Sequence, residues 1–119
     1  MATIFIKDDQ QNVTVKISVI TGGEFDYDYE HHNGKHFPDP PGPPFADQYE
    51  LGNQNVGKRD LWTFRIIRAE DRDIDYQLHI EWWQDEKLMD DWNNSGTISK
   101  DEPRVRRIAD EGKFKQKQQ

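Results

Sequence analysis

The chain has 119 residues, 16 Lys plus Arg against 23 Asp plus Glu, no cysteine and a net charge of -7. This length predicts one domain, and the missing cysteines exclude a disulfide framework, thiol catalysis and thiolate metal sites together. The acidity argues against nonspecific nucleic-acid binding, and no window approaches the roughly 20 apolar residues of a membrane-spanning helix. The first elements are strands. Thr3 to Lys7 reads as a short one, and Val13, Val15, Ile17 and Val19 alternate with Thr14, Lys16 and Ser18 as in a half-buried strand.

From Gly22 to Asp60 the chain reads mostly as loop. It holds an acidic-aromatic run from Glu24 to Glu30, three histidines (His31, His32 and His36) and the proline run from Phe37 to Phe45. Carboxylate and imidazole ligands suit Zn²⁺ or a similar ion, so Asp26, Asp28, His32 and His36 form one candidate metal set, with His32 and His36 able to converge across a turn at Gly34. The same run also reads as an exposed strand whose acids point outward at period two while Phe25, Tyr27 and Tyr29 point inward. The proline run is stiff and extended, either a strap over a sheet edge or a docking ligand for an aromatic groove. A structureless loop of this length is uncommon in a compact domain, so a strand is expected within it, with Gln48 to Leu51 as the candidate.

Alternation returns at Trp62, Phe64 and Ile66, and runs longest through Ile74, Tyr76, Leu78, Ile80 and Trp82. A one-residue slip there would turn the whole apolar face to water, so the register is firmly specified. Asp85 to Trp92 and Glu102 to Glu111 carry helical spacing, the second with Asp101 as cap, Pro103 in the first turn and Gly112 as the stop. Thr97 to Ser99 reads as a short strand. The last sixteen residues carry a net +4, against -11 for the rest. The expectation is therefore an all-β, antiparallel β-sandwich over residues 1–100, of jelly-roll or galactose-binding type, with short helical pieces. A basic C-terminal extension over 101–119 would begin helical and end flexible.

The segment Glu86 to Thr97 has two readings. Carboxylates, side-chain amides and freed carbonyls are the hard oxygen ligands Ca²⁺ prefers; equally, Asn93-Asn94-Ser95-Gly96 suits a hairpin turn. The stretch resembles the closing hairpin of the small, soluble, calcium-dependent galactose-binding bacterial lectins. On that resemblance Glu86, Asp90 through its main-chain oxygen, and the paired amides of Asn93 and Asn94 are the implied calcium ligands. His36-Phe37-Pro38-Asp39 is similar to the family's His-Pro-Asp sugar contact, so His36 and Asp39 become implied ligand-binding residues. Glu replaces the family's Asp at 86, and Leu88-Met89 replaces its Pro-Gly turn. Sugar rings need an aromatic face beside the polar contacts, and Trp83 and Trp92 are the candidates. Trp83 interrupts the polar, outward half of its strand and could equally pack beneath the segment that follows.

No Gly-rich phosphate loop, nucleophile elbow or metalloprotease helix motif is present, so no enzyme is expected. The resemblance implies a calcium-dependent, carbohydrate-binding, lectin-like module with a galactose-like ligand. The alternatives are an acidic interaction module of inhibitor or immunity type, and a homo-oligomeric structural protein whose Trp and Tyr residues meet between subunits. Met1 to Ile4 lacks the basic and apolar regions of a signal peptide, so the expected compartment is the cytoplasm, with non-classical export as the route a lectin would need.

Overall fold

The computed structural model describes residues 2–31, 34–36 and 45–117. Among them are nine strands and no helix: β1 (Ala2–Ile6), β2 (Thr14–Thr21), β3 (Glu24–His31), β4 (Gly34–His36), β5 (Phe45–Glu50), β6 (Arg59–Ile67), β7 (Ile74–Gln84), β8 (Lys87–Ile98) and β9 (Val105–Gln116). They form a five-stranded sheet of order β1-β9-β6-β3-β4 and a four-stranded sheet of order β5-β2-β7-β8. The β1–β9 pair is parallel and the other strand pairs are antiparallel. The expected all-β sandwich is what the chain adopts.

Alternation builds both layers. Val15, Ile17 and Val19 of β2 and Tyr76, Leu78, Ile80 and Trp82 of β7 turn inward from one sheet, against Tyr27 and Tyr29 of β3 and Trp62, Phe64 and Ile66 of β6 from the other. Each such side chain contributes about 1.5–3 kcal/mol on burial, so a chain poor in apolar residues reaches a core by using large ones. Trp62 sits 5.5 Å from Trp82, and Phe64 stacks on Trp92 at 5.9 Å and 6°. The large aromatics expected at a subunit contact in the structural-protein reading thus include several that form this chain's own core.

Both expected helices are strands. Asp85 and Glu86 make a two-residue turn, after which β8 pairs with β7 along its length, from Lys87 opposite Gln84 to Ile98 opposite Ile74. A neighbouring strand offering partners throughout outweighs weak helical spacing. Residues 105–116 likewise form β9, between β1 and β6, with Ile108 half-buried and Phe114 buried at period two. The basic C-terminal segment is therefore part of the sandwich through Lys117, not an extension from it. Gly112 stops no helix; a Cβ there would lie 2.7 Å from Ile4 Cδ1 and 3.1 Å from Trp62 Cη2, so β9 needs glycine to pass between them.

The stretch expected to be mostly loop contains β3, β4 and β5. In β3 the acids face out, with Tyr27 and Tyr29 buried and Phe25 partly so, because β6 supplies a partner for every residue from Glu24 to His31. The proline run from residue 37 to 44 lies outside the described residues. Among the described residues no helix is long and apolar enough to cross a membrane.

Candidate functional site

The two outer faces of the sandwich differ in chemistry. On the five-stranded sheet, Arg59, Arg65, Arg107 and Lys113 project from β6 and β9, and Glu24, Asp26, Asp28 and Glu30 from β3. On the four-stranded sheet the outward positions interleave neutral polar residues, Thr14 and Ser18 of β2, Gln48 of β5, Gln77 of β7, and Asn93 and Ser95 of β8, with the charged Lys16, Glu50, Asp75, Glu81 and Asp91. Amides and hydroxyls both donate and accept, which suits them to a neutral, polyhydroxylated ligand.

At one end of that second face is an open cleft of about 540 Å³, lined by Asn12, Thr14, Lys16, Gln48, Trp83 and the Asp85-Glu86 turn among others. Trp83 is the aromatic surface of the cleft. It is half-buried, and its indole nitrogen has no hydrogen-bond partner among the described residues. The Lys16 ammonium lies 4.2 Å from the ring centroid, a cation–π contact of about 0.5–1 kcal/mol at an exposed site. A ligand can displace an interaction that weak.

A polar network fixes the wall opposite. Thr14 Oγ1 donates to Glu50 Oε2 at 2.9 Å, Asn12 Nδ2 donates to the same oxygen, and Gln48 Nε2 reaches Glu50 Oε1 at 3.5 Å. The hydrogen bonds from Thr14 and then Asn12 hold the Glu50 carboxyl below the usual carboxylate range. Asn12 Oδ1 meanwhile accepts from the Gly52 amide at 2.8 Å. The rim is set by buried Gln84, whose Oε1 accepts from the Lys7 and Asp8 amides at 2.8 and 3.2 Å while its Nε2 donates to the Asp8 carbonyl at 2.6 Å. Gln84 thereby ties the loop before β2 to the end of β7, the buried polar group being satisfied at each contact.

Of the residues expected to bind, Trp83 and Glu86 line this cleft. The four implied calcium ligands do not converge. They were expected on a loop, but from Lys87 onward the segment is extended strand, so Asn93 and Asn94 point to opposite faces. Glu86 and Asn94 lie about 25 Å apart along it, against the 2.3–2.6 Å that calcium ligation requires. Asp90 Oδ2 accepts from the Phe5 amide at 2.9 Å, tying β8 to β1, and Asn93 Nδ2 donates to Asp91 at 3.1 Å. Trp92 is half-buried and packs inward against the core, stacked on Phe64, with its Nε1 donating to Asp110 Oδ2 at 3.1 Å. In the alternative metal set, Asp26 is bound by Arg65 Nε at 2.7 Å and Asp28 projects two residues further along the same face. His36 ends β4, while His32 and Asp39 lie outside the described residues. Among the described residues no three His, Cys, Asp or Glu side chains gather as a metal ion would need.

Asn12, Lys16, Gln48 and Asp85 carried no signal in a linear reading, since cross-strand pairing alone brings them beside Trp83. Trp83 did carry one, as an aromatic in the polar half of an alternation. No protein-family model, curated protein or solved structure matches this chain.

Proposed function

We propose that this protein is a non-catalytic carbohydrate-binding β-sandwich whose site is the Trp83 cleft. The observation that supports it most directly is an indole on an outer sheet face, surrounded by Asn12, Thr14, Gln48 and Lys16. The ring would cover the apolar C–H face of a hexose, and the amide, hydroxyl and ammonium groups would meet its hydroxyls. Covering about 100 Å² of ring and sugar is worth roughly 2.5 kcal/mol, enough to dominate a weak, monosaccharide-scale affinity.

In this reading the sugar binds through side chains directly, without the calcium bridge that the lectin resemblance implies. The experiment measures retention on immobilised galactose, glucose, mannose and N-acetylglucosamine, in millimolar Ca²⁺ and in EDTA. Wild-type protein is expected to be retained on at least one matrix in both buffers, and Trp83→Ala to lose retention by tenfold or more while melting normally. No retention on any matrix, or equal retention of Trp83→Ala, would overturn the reading. Retention abolished by EDTA would return the site to calcium.

The acids of β3 support a second reading. Glu24, Asp26, Asp28 and Glu30 form one outward stripe, which suits a basic protein surface. Binding of that kind weakens steeply between low and physiological salt, whereas binding of a neutral sugar does not.

A further inference from the structure

Resting on that reading, we propose that the ligand is a linear neutral glycan lying along the strands of the four-stranded sheet, with a second subsite centred on Ile20, Gln77 and Asn93. A second depression of about 320 Å³ occupies the same outer face, lined by Ser18, Ile20, Gln77, His79, Asn93 and Ser95 among others. Register places the two depressions in line. The outward cross-strand rows run Thr14–Trp83, Lys16–Glu81, Ser18–His79 and Ile20–Gln77, and β8 continues the last two with Asn93 and Ser95. First and last rows are six residues apart, about 20 Å at ~3.3 Å per residue. One monosaccharide cannot span that distance, whereas a chain of them can.

The second depression repeats the chemistry of the first. Ile20 is 53% exposed, an apolar side chain on an outward strand position, and its neighbours Gln77, Asn93 and Ser95 both donate and accept. This pairs an apolar contact with neutral hydrogen-bonding groups, as Trp83 is paired with Thr14 and Gln48. Charge selects the class of glycan. Glu81 and Asp91 occupy the row between the depressions, Asp75 lies beyond the second, and Glu50, Asp85 and Glu86 surround the first. Against them stand Lys16, and His79, whose Nε2 lies 3.0 Å from Asp91 Oδ2. A uronate or sulfated chain would meet this acidic frame at each step, while a neutral chain would not.

Titration calorimetry with linear neutral gluco-, galacto-, manno- and xylo-oligosaccharides of one to six units, and with oligogalacturonates of the same lengths, tests the proposal. Affinity in the preferred neutral series should rise about tenfold or more with length and then level off, as additional hydrogen bonds form at the second subsite. The double variant Gln77→Ala/Asn93→Ala, both at surface positions, should flatten that rise while leaving monosaccharide affinity unchanged. Monosaccharide binding with no gain in length, or an unaltered gain in the double variant, would overturn the second subsite and leave the Trp83 reading standing. Tighter binding of the oligogalacturonates would overturn the neutral class, and no binding by any series would overturn the Trp83 reading with it.

Discussion

Asp85 and Glu86 join β7 to β8 with φ of +49° and +60°, the two left-handed residues of a hairpin turn that favours Asn or Asp followed by Gly. Glutamate holds that conformation at a cost of about 1 kcal/mol, since its Cβ crowds the following carbonyl. Glu86→Gly should therefore stabilise the protein by about 1 kcal/mol, raising Tm by roughly 4 °C, as read from urea and thermal denaturation. An unchanged or lower midpoint would mean that the Glu86 side chain, at the mouth of the cleft, stabilises the fold through contacts that offset this strain. Trp83, two residues before the turn, was legible as a candidate because its ring breaks a polar alternation. Asn93 and Asn94 looked like paired ligands for the opposite reason: their adjacency is apparent in the sequence, but the strand that separates their directions is not.

At the scale of elements, period-two patterns were reliable wherever they were long. β2, β6 and β7 fall where Val13 to Val19, Trp62 to Ile66 and Ile74 to Trp82 predict them. β8 and β9 carry a helical signal in the sequence, because apolar residues such as Leu88 and Trp92, or Val105 and Ile108, recur at intervals that also fit a helix. Their strand partners, β7 and β6, decide the matter by completing the backbone ladder. Phe114 discriminates the two accounts of the C-terminal segment. It is 1% exposed, beneath β9. Phe114→Ala should cost about 3–5 kcal/mol in urea denaturation, whereas a flexible basic extension would lose nothing by the same change.

At the scale of the whole molecule, a buried polar chain crosses between the layers. Trp82 Nε1 of β7 donates to Tyr29 Oη of β3 at 2.9 Å, Tyr29 donates to buried Asp60 of β6, and Asp60 also binds His31 Nδ1. Burial first, then the Asp60 charge and hydrogen bond, push the Tyr29 hydroxyl well above its ordinary value of 10.0, and burial with Asp47 does the same for Tyr27. Below that ordinary value both hydroxyls are neutral in the folded and unfolded chains alike, and stability is untouched. Above it the unfolded chain ionises while the folded one does not, so stability falls by about 1.4 kcal/mol per pH unit for each such tyrosine. Urea midpoints at pH 9, 10 and 11 should fall accordingly, and Tyr29→Phe, although less stable at pH 9, should fall less steeply; a parallel slope would show that Tyr29 is not responsible. The sequence by itself determined the all-β class, the inward residues of the long strands and the oddness of Trp83, because side-chain alternation is a local property of an extended backbone. Only the tertiary structure decided that the basic segment is a central strand, that the implied calcium ligands diverge, and that Asn12, Lys16 and Gln48 meet at Trp83. Those facts depend on which strands become neighbours, and that choice is made by burying one shared aromatic core between two sheets rather than by any single stretch of chain.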